Sequence, residues 1–67
     1  MQITLKEDYD YNSVCHHIEK QLKMQLHEYG ADFNRNDIRA FRDFCEGTSE
    51  VDVVKTYVTE NFDMEFI

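Results

Sequence analysis

The sequence predicts a small α+β domain in which three helices pack on a short two-stranded sheet formed by the chain termini, in the order β-α-α-α-β. Three observations predict it. Apolar residues alternate at both termini, they recur at intervals of three and four in three central stretches, and capping or stop residues bound those stretches. A mostly helical domain without the sheet is the alternative. With 67 residues the chain makes one domain over 1–67, near the lower size limit for a self-sufficient core.

The first element is a strand over Met1–Leu5, with Met1, Ile3 and Leu5 on one side and Gln2 and Thr4 on the other. The first helix runs from about Ser13 to Tyr29. Cys15, Ile18, Leu22, Leu26 and Tyr29 form its apolar stripe, Asn12 or Ser13 caps its start, and Gly30 supplies a left-handed stop. A second helix covers Asp37 to Glu46, with Ile38, Phe41 and Cys45 inward, Asn36 as the cap and Gly47 as the stop.

The third helix follows Ser49, which with Asp52 resembles a capping box, and places Val51, Val54, Val58 and Phe62 on one face. Its β-branched residues also suit a strand over 51–59. The helix is preferred because the apolar positions do not alternate cleanly. At the C-terminus Phe62, Met64 and Phe66 alternate with Asp63 and Glu65 as a second strand. Paired terminal strands would offer Ile3, Leu5, Phe62, Met64 and Phe66 to the helices and leave both outer edges open.

Little in the chain suggests chemistry. Cys15, His16, His17, His27 and Cys45 are the only hint of a metal, but they lack the paired short spacing of zinc ligands, and adjacent histidines diverge by about 100° on a helix. Cys15 and His16 fail as a nucleophile–base pair for the same reason. Gly30 and Gly47 act as helix stops and build no phosphate loop. The expectation is a binding protein, not an enzyme, with no metal or cofactor. Free thiols, no visible secretory leader and no long apolar run suggest a cytoplasmic protein without membrane contact.

Charge is the distinctive property. Fourteen acids and seven bases give −7, which repels nucleic acid and favours basic surfaces. Arg35, Arg39 and Arg42 have helical spacing, and the local i,i+4 partners Asp43 and Glu46 would neutralise them. They could equally hold an acidic patch on a second copy, a route to a homodimer. Asp37, Glu50 and Asp52 suit helix starts, and Glu19 lies four before Lys23. The remaining acids have no such local role. Glu28, Glu46 and Glu60 fall in last helical turns, where the dipole disfavours them. Glu7, Asp8 and Asp10 surround Tyr9 and Tyr11, and Asp63 and Glu65 lie at the other terminus. If the strands were antiparallel, Glu7, Asp8 and Asp10 would approach Asp63 in one acidic lobe rimmed by Tyr9 and Tyr11.

These ten residues form the candidate protein-binding surface. Its expected partner is a protein with a basic surface of the nucleic-acid-binding kind, which the acidic chain would inhibit or regulate by taking the place of phosphates. In size and charge alone the chain is similar to small acidic phage proteins that block restriction, CRISPR effectors or host polymerases; no motif carries the similarity. The alternative is a structural or adaptor subunit that assembles through open strand edges and the aromatics Phe33, Phe44 and Tyr57.

Overall fold

A computed structural model describes residues 2–67, apart from the side chain of Tyr29. The expected position of Met1 in the first strand and that of the Tyr29 side chain on the first helical stripe lie outside the described residues. The elements are β1 (Gln2–Ile3), α1 (Tyr11–Met24), a π-helical turn (Gln25–Tyr29), α2 (Arg35–Glu46), α3 (Val51–Phe62) and β2 (Glu65–Phe66). Three helices therefore lie on a two-stranded sheet in the β-α-α-α-β order.

The strands pair in parallel, Gln2 opposite Glu65 and Ile3 opposite Phe66. An antiparallel arrangement is thereby excluded. The physical reason lies in the helix count. Short connections make consecutive helices antiparallel neighbours, so α1, α2 and α3 run up, down and up. The chain leaves α3 at the upper end and turns back down as β2. β1 likewise descends, through residues 4–10, to the start of α1 at the lower end.

Both strands are shorter than the alternation suggested. Phe62 closes α3 and is not a strand residue, and Asp63 adopts a left-handed conformation with φ 56° that turns the chain into β2. Asp tolerates this region better than most residues because its short side chain can bond locally. Ile3 and Met64 are fully buried, while Leu5, Phe62 and Phe66 pack at the margin of the core. The ammonium of Lys55 sits 5.5 Å from the centre of the Phe66 ring. The Ile67 N–H donates to the Ile3 carbonyl at 3.0 Å and extends the pairing slightly.

The helices follow their apolar periodicity, with shifted caps. α1 starts two residues before the expected Ser13 because Asp10, not Asn12 or Ser13, is its cap; Asp10 accepts the Ser13 N–H at 2.8 Å. Val14, Ile18 and Leu22 point fully inward, and Cys15, about 100° round the helix from Val14, is half-buried on the flank. Gly30 has a positive φ of 68°, but its ψ of 123° takes the chain away from the left-handed helical region.

α2 also begins two residues early. Asn34 replaces Asn36 as the cap and forms a reciprocal box with Asp37, at 3.1 and 2.9 Å. Ile38, Phe41 and Cys45 are buried as the spacing predicts. Residues 51–62 are helical, not extended, yet the Ser49–Asp52 box does not form. Glu50 is the cap position, its side chain makes no capping bond, and its N–H is taken by the Thr48 hydroxyl at 3.3 Å.

The core comprises Ile3, Val14, Ile18, Leu22, Ile38, Phe41, Cys45, Val54, Val58 and Met64, and no buried polar residue interrupts it among the described residues. An aromatic column continues it. Tyr57 stacks on Phe44 at 4.2 Å, and Phe62 meets Phe33 edge-on at 5.0 Å and Phe41 at 6.4 Å. Phe33, Phe44 and Tyr57 are thus engaged within the fold, tying α2 and α3 together.

Phe41 lies where all three helices meet this column and is 1% exposed. Phe41→Ala should cost about 3–5 kcal/mol, most of the stability of a domain this small. Thermal denaturation followed by circular dichroism should show no cooperative transition, or one far below that of the parent chain. An unchanged melting temperature would contradict the packing described.

Candidate functional site

Most of the candidate acids lie toward two ends of the molecule. Glu7 and Asp8 are exposed in the turn that the Tyr9 N–H closes on the Lys6 carbonyl at 3.2 Å. Asp10 follows as the α1 cap, and the Ser13 backbone N–H is the main reason its carboxyl lies below the ordinary aspartate value. Glu46, the last residue of α2, lies at this lower end, where it lines a groove with Tyr11 and Asn12 at the start of α1. Glu50 and Asp52, at the start of α3, follow from the same end of α2.

Asp63 lies elsewhere. It ends α3 at the upper end, beside the connection formed by Gly30, Ala31, Asp32 and Phe33. The expected single lobe of Glu7, Asp8, Asp10 and Asp63 is therefore divided, because parallel strands put the start of β2 at the opposite end from the exit of β1. Glu28 lies in the upper π-helical turn. Glu65 is exposed opposite Gln2, and Glu60 borders a shallow apolar trough formed by Phe44, Val53 and Tyr57.

The two candidate tyrosines do different things. Tyr9 is half-buried, with its ring 5.6 Å from that of His17. Tyr11 is a structural tie: its hydroxyl donates to the Cys45 carbonyl at 2.6 Å and joins the start of α1 to the last turn of α2. Burial, with the neighbouring Cys15, pushes the Tyr11 hydroxyl pKa well above its ordinary value. Burial does the same to the Cys45 thiol, so that thiol stays protonated at neutral pH. Both cysteines are free, and no three His, Cys, Asp or Glu side chains gather as a metal site among the described residues.

The feature missed in the sequence is the outer seam between α1 and α2. Arg42 was expected to pair with Glu46 in the next turn. Instead its guanidinium reaches across to Glu19 of α1 with two bonds of 2.7 and 3.0 Å. Glu19 also keeps its expected partner, Lys23, at 3.3 Å. The Glu19 side chain is only 13% exposed against 57% for Arg42. Above this pair, Lys23, His27, Arg35 and Arg39 line a groove of about 310 Å³ floored by Leu26 and Ile38. All three arginines of the chain border it. Spacing offered a clue, since Glu19, Lys23 and His27 recur every four residues along α1 and the π-helical turn that continues it, much as the arginines recur on α2. Which stripes would face each other needs the helix pairing.

The Glu19 clamp has a pH signature. Its hydrogen bonds from Arg42 are the largest cause that lowers the Glu19 pKa below the ordinary glutamate value of 4.5. A carboxyl depressed by folding contributes stability above its unfolded-state value, and that contribution is lost as pH falls through the lower folded-state value. Glu19→Gln should cost about 1 kcal/mol at neutral pH, given the screening of a half-exposed partner. Thermal melts of both proteins should converge as the solution is acidified through the glutamate range. A gap that stays constant at every pH would contradict the clamp. No protein-family model matches the chain, and comparison with curated proteins and with solved structures likewise returned no match.

Proposed function

We propose that this chain is a small regulator or inhibitor that binds another protein, docking its acidic surface on a basic surface of the kind that holds nucleic acid. One observation carries this reading: four of the seven Lys and Arg residues, including every arginine, are gathered in one place. Apart from Glu19 and the four Lys and Arg residues of the α1/α2 groove, the chain presents thirteen acids against only Lys6, Lys20 and Lys55. The net charge of −7 itself lies within the range that serves solubility in a small domain; the reading rests on where the acids lie, away from the basic groove. Like charges kept close together repel, so a fold gains nothing from the crowding itself.

A basic partner would relieve that repulsion and be steered to the acidic surface at long range. Carboxylates spread over both ends of the molecule would occupy arginines and lysines that otherwise hold phosphates. Catalysis has no part in this reading. The lower end offers Glu7, Asp8 and Asp10, with Tyr9 beside them; the upper end offers Glu28 and Asp63; Glu60 and Glu65 lie on the surface between.

Immobilised protein should capture such a partner from a lysate at low salt and release it to double-stranded DNA or RNA, or to about 1 M salt, where the Debye length is about 3 Å. A variant with Glu7→Gln, Asp8→Asn, Asp63→Asn and Glu65→Gln keeps every cap, because Asn also tolerates the left-handed position of Asp63. Its affinity for that partner should fall at least about ten-fold, chiefly where long-range charge matters. Capture that survives high salt and is indifferent to both the nucleic acid and the substitutions would overturn the proposal.

A further inference from the structure

On α2, Arg35, Arg39, Arg42 and Glu46 are spaced four, three and four residues apart and form one stripe along the α1/α2 seam. Its upper end is positive and its lower end is negative. Arg42, midway, is occupied by Glu19. Arg35 and Arg39 make no ion pair among the described residues.

Both ends of the stripe are wrong for their own helix. Arg35 is the first residue of α2, where the macrodipole disfavours a cation, and Glu46 is the last, where it disfavours an anion. Neither charge contributes to the core. A second α2 laid antiparallel across the first would correct both at once, because it brings a negative end to a positive one.

We infer that the α1/α2 seam is the face on which two copies of this chain associate, related by a two-fold axis through the Glu19–Arg42 pairs. A two-fold interface must be self-complementary, each half supplying what the other needs. This seam has that property. Arg35 and Arg39 of one copy flank Glu46 of the other, and the same contact recurs on the far side of the axis. Glu46 lies four residues from Arg42, roughly 6 Å at 1.5 Å per residue, so the two contacts stand roughly 12 Å apart across the axis and fix the orientation. Leu26 in the upper half of the groove and Cys15 in the lower half are half-buried and add a little apolar surface for the pair to bury; Ile38 and Phe41 beneath them are already buried in the core. The second copy is favoured over an extended polyanion, which would have to run past the acidic ends.

The inference is independent of the proposed function, whose test leaves Arg35, Arg39 and Glu46 unchanged. Sedimentation equilibrium at low salt should give a dimer that dissociates as salt is raised. Glu46→Arg makes the stripe wholly positive, and the double variant Arg35→Glu, Arg39→Glu makes its free charges wholly negative. Each should dimerise at least about ten-fold more weakly than the parent chain, since like charges then face each other.

Both variants match the α2 dipole better than the parent, so helical circular dichroism should be retained and a monomer cannot be ascribed to unfolding. An equimolar mixture of the two should restore a dimer containing one of each. A parent chain that stays monomeric at every concentration, or a dimer indifferent to the charge reversals, would overturn the inference. Binding of a small anion such as inorganic phosphate in the groove of a monomeric parent would assign the arginines to that ligand instead.

Discussion

Two polar ties clamp α1 to α2 in an antiparallel pair, one near the lower end and one midway. The Tyr11 hydroxyl holds the Cys45 carbonyl, and Glu19 takes a two-pronged hydrogen bond from Arg42. Alongside them Val14, Ile18 and Leu22 of α1 and Ile38, Phe41 and Cys45 of α2 are buried in the one core. Burial supplies most of the free energy, as it must in so small a domain. The ties supply register, since apolar surfaces alone would tolerate a shift of α1 along α2. That register decides which charged residues share a face.

The rest of the architecture follows from the pair. α3 returns alongside α2 and is held by the Phe44–Tyr57 stack and by Phe62. Three helices carry the chain to the upper end, and β2 must then descend beside β1. Parallel pairing over two residues contributes little by itself. It survives because Ile3 and Met64 reach into the helical core. The same geometry separates Asp63 from Glu7, Asp8 and Asp10. The acidic surface is consequently spread over both ends, and the arginines are confined to one seam.

Much of this was legible in the residues. Ile18, Leu22, Ile38, Phe41, Cys45, Val54 and Val58 follow helical spacing, and every one of them is buried. The caps were harder to place, because Asp10, Asn12 and Ser13 compete for one helix start, and Asn34 and Asn36 for another. Side chains of this kind differ by only tenths of a kcal/mol as caps. Alternation alone did not give the strand direction, since two alternating segments fit either; the three helices joined by short connections imply it. Arg42 illustrates the same limit for the site. A local partner, Glu46, was available four residues on, and only the tertiary pairing shows that Glu19 holds the guanidinium instead.

The sorting of charge joins the fold to the proposed function, and it can be observed directly. Amide NMR spectra of the isotope-labelled chain should be recorded with and without the partner that nucleic acid releases. The expected shifts concentrate at Glu7–Asp10 and at Asp63–Glu65, with Arg35 and Arg39 little changed. Shifts confined to the arginine seam, with both acidic ends undisturbed, would contradict the idea that the acidic surface is what the partner binds.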